Sequence, residues 1–182
     1  MSKKVPESLI RDYRDQRALV GVERDDLDGN PLHGFILDFN DEWIALQKEY
    51  DFRIDGIVLV RRADITALRN SKTHKFQKQL LIDEGWFEQI DFDFMIPHGG
   101  VSELLAELPA DRIVTLEDER EEGMFLIGPV LEVKDGVVSV RFFSGDAQWD
   151  SEPLTIKLTS ITMIAFSSSY TSAYERYFLR KQ

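Results

Sequence analysis

Six cations and a histidine crowd one stretch of the sequence: Arg61, Arg62, Arg69, Lys72, Lys75 and Lys78, with His74 among them. Cations at that density suit a patch that tracks phosphates along a single nucleic-acid strand. They equally suit a solvated helix face that docks on an acidic surface. With only Phe76 interleaved to stack a base, the docking reading is preferred. Acidic residues cluster in "EDEREE" at 117–122 and "DFD" at 91–93. A hard cation such as calcium needs about six or more oxygens on a Gly-containing loop of defined spacing. Neither cluster has that spacing, and 117–122 reads as a turn between strands.

His33, His74 and His98 fall in separate segments with no metal-like pair among them. His33 precedes Gly34 inside a strand and reads as a structural imidazole. His98, in "IPHGG", reads as part of a hinge. The chain has no cysteine, which excludes disulfides, zinc–thiolate sites, iron–sulfur clusters and a thiol nucleophile. It also lacks the linear signatures of nucleotide-binding loops, serine hydrolases and zinc peptidases. The sequence therefore assigns no catalytic residue, no metal ligand and no cofactor, and the chain is expected to be non-enzymatic.

The net charge of −11 over 182 residues is unevenly placed. Residues 1–79 carry 14 cations and 14 carboxylates, whereas 80–182 carry 8 and 19. A field of that sign repels phosphate backbones from the C-terminal half. The longest apolar run, 124–131, is broken by Gly128 and Pro129 and is far below the ~20 residues of a membrane span. The N-terminal "MSKKVPESLIRDY" has no apolar segment behind its lysines. A cytoplasmic, membrane-free protein is expected.

These residues sit in a chain that repeats itself. Aligning Gly34 with Gly128 sets two halves in register at an offset of 94. Ile36, Phe39, Ile44 and Leu46 then meet Val130, Val133, Val138 and Val140. A two-residue insertion in "FSGDAQWDSE" moves the offset to 96, after which "DITALRNS" meets "SITMIAFS". Two tandem copies of one fold are expected.

In each copy a short helix precedes five β-rich runs, with Ser8 and Ser102 as candidate helix caps. The runs are 18–23, 32–39, 43–48, 57–61 and 66–69 in the first copy. In the second they are 113–117, 125–133, 137–143, 154–158 and 162–166. One helix and five consecutive short strands predict a small, strongly bent barrel. A basic helix at 72–82 follows the first copy. Its counterpart, "SYTSAYERYFLRK", carries Tyr170, Tyr174, Tyr177 and Phe178 on one face, a pattern for packing on a barrel or a second chain. Between the copies, 90–96 alternates apolar and polar residues like a strand-like connector. Trp43, Trp86 and Trp149 are expected to be half-buried.

A helix plus five strands, with a glycine in the second strand and a DIT-like corner before the last, resembles the Sm/LSm-like fold, which includes bacterial Sm-like RNA chaperones. "GFILDFNDEWIAL" follows that family's second and third strands, and the resemblance covers about residues 7–70 and 101–167. It implies association edge to edge through the fourth and fifth strands into rings. For some members it implies single-stranded RNA held by two loops. At those loops this chain departs from the pattern. Asn40 stands where the family usually has Asp, Glu42 where it has an aromatic or long apolar residue, and Ile44 where it often has Asn. The second copy has Lys134, Gly136 and Val138 there. Arg61 and Arg62 resemble the family's basic residues, while the second copy offers only Lys157.

The sequence thus predicts a mainly β chain of two tandem Sm-like five-stranded barrels with flanking helices, at 1–82 and 101–182, joined by a connector at 83–100. The expected activity is macromolecule binding or scaffolding, through self-association and protein partners. RNA binding by the first copy's basic patch is the alternative.

Overall fold

The computed structural model describes residues 5–181. The chain divides into two units, Met1–Met95 and Ile96–Gln182. The first runs α1 (Glu7–Asp15), β1 (Leu19–Arg24), β2 (Asp28–Phe39), β3 (Trp43–Tyr50), β4 (Arg53–Arg61), β5 (Ala67–Arg69) and α2 (Lys72–Asp83). The second runs α3 (Gly100–Glu107), β6 (Ile113–Glu117), β7 (Phe125–Lys134), β8 (Val137–Val140), β9 (Leu154–Lys157), β10 (Met163–Phe166) and α4 (Ser169–Leu179). The protein is mainly β, with every ladder antiparallel.

Strand order is the same in both units: fifth, first, second, third, fourth. In unit 1 this is β5-β1-β2-β3-β4, and in unit 2 it is β10-β6-β7-β8-β9. The fourth and fifth strands of a unit are not hydrogen-bonded to each other, so neither run closes on itself. Five strands behind a helix are as the sequence predicts, but the sheets are open.

The ladders carry the duplication residue by residue. Val20 lies opposite Gly34 and Val114 opposite Gly128. Ile36 faces Leu46 as Val130 faces Val140, and in both units the ladder bulges immediately afterwards, before Asp38 and before Glu132. Gly21 faces Arg69 as Thr115 faces Ala165. A one-residue slip would turn each strand's buried set outward, so identical registers mean that the two cores are built on one plan.

Two local devices hold that plan. A Cβ on Gly34 would lie 2.5 Å from the Gln47 carbonyl oxygen, and one on Gly128 would lie 2.0 Å from that of Arg141. Position 141 is position 47 plus 94, so both glycines exist because the third strand crosses too close for any side chain. The second device is the corner before the fifth strand. The Thr66 hydroxyl donates to Asp25 Oδ2 (2.8 Å) and accepts from Asp25 N–H (3.3 Å). Thr162 does the same with Glu119, at 2.8 and 3.0 Å. The N–H of each threonine reaches back to the first strand, at Glu23 O and Glu117 O.

Unit 1 buries Leu19, Val20, Phe35, Ile36, Ile44, Leu46 and Leu59 completely. In unit 2, Ile113, Ile127 and Phe143 form a buried cluster against which Phe142, Trp149, Tyr174 and Phe178 pack. β1 is buried on both faces over Leu19–Val22. At Gly21 the missing side chain admits the His74 ring of α2, whose Nε2 would sit 3.1 Å from a Cβ there.

Some expectations differ from the structure. Ser8 and Ser102 lie inside their helices, whose N-caps are Pro6 and Gly99. The serine caps are instead Ser71 on α2 and Ser168 on α4. Each accepts from the backbone N–H three residues on, and the side chain there answers the cap's own N–H. The connector is not a strand. Ile90 and Ile96 are buried and the polar residues between them are exposed, but the backbone between them forms turns and irregular structure. Trp43 is fully buried rather than half-buried. β8 stops at Val140, and Phe143 makes an isolated bridge with Trp149.

Candidate macromolecule-binding surface

The six predicted contact residues do not form one patch of free cations. Arg61, at the end of β4, lays its guanidinium over the Trp43 ring at 4.5 Å and pairs with Glu42 at 3.8 Å. Arg62 begins the 3-10 turn Arg62–Asp64 and is buried, only 7% exposed. Its Nη1 donates to the Asn40 carbonyl at 2.7 Å and lies within 4 Å of Glu7 and Asp41. Arg69 forks onto the Glu23 carboxylate. That hydrogen bond, with the carboxylate's charge, raises the arginine's pKa. Lys78 donates to Gln16 O at 3.3 Å and sits 5.2 Å from the Phe87 ring centroid. Burial, and Arg17 nearby, lower its pKa. Lys72 and Lys75 are exposed on the first turns of α2, with no ion pair among the described residues.

The loop between β2 and β3 is held from within. Asn40 Oδ1 accepts from the N–H groups of Glu42 (2.9 Å) and Trp43 (2.8 Å). Together with Arg62 on its carbonyl, Asn40 ties this loop to the β4–β5 corner. Arg62 therefore works as a strut between two loops, and Arg11, Arg14 and Arg62 all pack around the Phe39 ring at 5.3–5.7 Å.

The histidines resolve into two roles. His33 and His74 meet edge to face at 5.1 Å, with Glu49 Oε2 3.9 Å from His33 Nδ1. His74 Nδ1 accepts from Ser71 N–H at 2.9 Å. Burial, then the neighbouring His33, lower the His74 pKa. His98 is exposed in the turn before α3. The 117–122 carboxylates straddle the end of β6 and the turn that follows, where Asp118 Oδ1 caps Arg120 N–H at 3.2 Å. No group of three or more His, Asp or Glu able to hold a metal occurs among the described residues.

Sequence reasoning passed over a second site. In unit 2 a cavity of about 180 Å³ opens beside α4, lined by Asp111, Arg112, Pro129, Arg141, Trp149 and Glu175. Glu175 Oε1 accepts from Ile113 N–H (2.9 Å), while Oε2 faces Arg112 (3.5 Å). Trp149 stacks on Phe178 at 4.3 Å, and the Arg141 guanidinium lies 4.2 Å over the tryptophan ring. On the same helix Tyr174 packs on Phe143 and donates to Gly145 O at 2.9 Å. Tyr170 and Tyr177 stay at the surface. The signal for this site was the repeat itself, since Arg141 replaces Gln47 and Glu175 replaces Lys78.

Among the described residues no helix is long and apolar enough to cross a membrane. No protein-family model, curated protein or solved structure matches the chain.

Proposed function

We propose that the chain is a non-enzymatic, cytoplasmic binding or scaffolding protein built of two Sm-like units, acting through protein partners and self-association. The observation that supports it most is the pair of strands left at the ends of the ladders. Taken by itself, each unit carries a fourth and a fifth strand that are not hydrogen-bonded to each other, so its sheet ends in open edges. Open edges of this kind are templates for pairing. A fourth-strand edge on one chain and a fifth-strand edge on the next are the two halves of the contact that the Sm-like resemblance implies. Repeated head to tail, such a contact closes a ring, for instance of three chains, or grows a filament.

Light scattering across a hundredfold concentration range tests this reading. Discrete oligomers are expected, dissociated by a proline at Thr155 in β9. A strict monomer at the highest concentration would count decisively against it.

RNA binding is the weaker reading. Four of the six cations are held by partners within unit 1, which leaves Lys72 and Lys75 as the exposed cations with no ion pair among the described residues. If RNA were bound there, retention of a labelled single strand at low salt would fall steeply with added salt. It would also vanish in the double variant K72E/K75E.

A further inference from the structure

The duplication provides an internal comparison for the unit 2 cavity. In unit 1 the Phe35 ring on β2 is covered by Phe87 (5.6 Å, edge on) and Phe92 (6.2 Å), both from the segment that follows α2. Arg17 lies 4.4 Å over the Phe92 ring and Lys78 5.2 Å from that of Phe87. This place is filled by two aromatic rings from an acidic stretch, "WFEQIDFDF", and each ring is topped by a cation.

The strands correspond at an offset of 94. The last helices, aligned on their capping serines Ser71 and Ser168, correspond at 97. Arg17, Phe35 and Lys78 therefore map onto Asp111, Pro129 and Glu175, three of the residues that line the unit 2 cavity. Proline in place of phenylalanine removes a ring from the floor, and the space stands open. The cations have moved rather than disappeared: Arg112 replaces Ala18 and Arg141 replaces Gln47. Arg112 is engaged by Glu175 and by the Ser167 hydroxyl at 3.1 Å. Arg141 is exposed, touches Trp149 and has no carboxylate partner among the described residues.

We propose that this cavity docks a partner protein's peptide segment in which an aromatic residue is flanked by a carboxylate. The ring seats against Trp149, Phe178 and Pro129, as Phe87 and Phe92 seat on Phe35, and the carboxylate reaches Arg141. The proposal rests on the reading of the protein as a protein-binding one, and adds where and what it binds. The net negative charge of unit 2 does not forbid it. At ordinary ionic strength charges beyond ~8 Å are screened, so the contact with Arg141 decides the local preference. A guanidinium already stacked on an indole is pre-organised to take a carboxylate through its outward N–H groups.

The probe is the synthetic peptide of residues 85–95, labelled with fluorescein and titrated into the full chain by anisotropy, with amide shifts mapped by NMR. Saturable binding is expected, with shifts at Ile113, Arg141 and Glu175. Replacing the peptide's Glu and Asp by Gln and Asn should weaken binding about fivefold, and replacing its Phe and Trp by Leu should abolish it. R141Q, which installs the unit 1 residue, should bind acidic and neutral peptides equally while keeping the wild-type melting temperature. Absence of saturation at millimolar peptide, or shifts confined to other surfaces, would overturn the proposal. So would benzoate binding as tightly as the peptide, which would make this a small-molecule site. Oligomers seen by light scattering without peptide binding defeat this inference alone, whereas peptide binding by a strict monomer defeats only the self-association reading.

Discussion

Val114 lies opposite Gly128 across the β6–β7 ladder, and 94 residues earlier Val20 lies opposite Gly34 across β1–β2. A side chain on either glycine would meet the backbone opposite, at Gln47 and at Arg141. Gly34→Ala and Gly128→Ala should each destabilise their unit by about 2–3 kcal/mol, since backbone rather than a side chain must give way. Gly128→Ala should be the worse, because its φ of +153° adds strain. Urea unfolding of both variants measures this, and unchanged midpoints would remove the close crossing as the reason for these residues.

The threonine corners make the same bonds in different surroundings. Thr162 is fully buried and Thr66 is partly exposed. Replacing Thr162 by Val removes the hydroxyl that donates to the Glu119 carboxylate and accepts from its N–H, at a cost of about 2–3 kcal/mol. Thr66→Val should cost about 1 kcal/mol, because water can replace the lost hydroxyl. Equal losses at the two corners would show that burial does not set the cost.

Acid should weaken unit 1 through His74. Its folded pKa lies below the ordinary 6.5 because of burial and then His33. The folded state thus binds less proton than the unfolded one. Its contribution is fully present above about pH 6.5 and is lost as pH falls from there through the lowered folded value, by at most ~1.4 kcal/mol per pH unit. Protonating Nδ1 also ends its acceptance from Ser71 N–H, loosening the cap of α2. Stability measured between pH 7 and 5 should flatten in His74→Gln, and an unchanged slope would assign the acid sensitivity elsewhere.

The basic residues should separate into struts and surface. Arg62→Ala leaves the Asn40 carbonyl without its donor and opens the space beside Phe39, a loss of about 2–3 kcal/mol. Lys72→Glu and Lys75→Glu should change stability by less than about 0.5 kcal/mol. Thermal melts of the three variants make the comparison directly.

The repeat was legible because it is written in features that the backbone enforces: a glycine under a crossing strand, a threonine at a corner, paired apolar residues across a ladder. Strand ends were less so. β2 and β4 begin at Asp28 and Arg53, in polar stretches where hydrogen bonding, not apolar pattern, extends the strand. The serine caps were misplaced because any serine near a helix start fits the local pattern, and only the fold chooses which oxygen meets which N–H. The connector shows alternation in burial without a strand, because a period of two reports one covered face and not a hydrogen-bonded neighbour. The partners of the basic residues come from far along the chain. Glu23 is 46 residues from Arg69 and Glu7 is 55 from Arg62, and no local window of sequence shows such neutralisation. The unit 2 cavity was hidden similarly, as Arg112, Arg141 and Glu175 come from three separate segments.

The stretch after α2 is not a tether that can be trimmed away. Phe87 and Phe92 are the lid of the first unit's interior, so a fragment ending near residue 82 would leave Phe35 bare to water and invite clumping. Anyone wishing to handle that half alone should cut no earlier than Met95, where the compact unit itself ends.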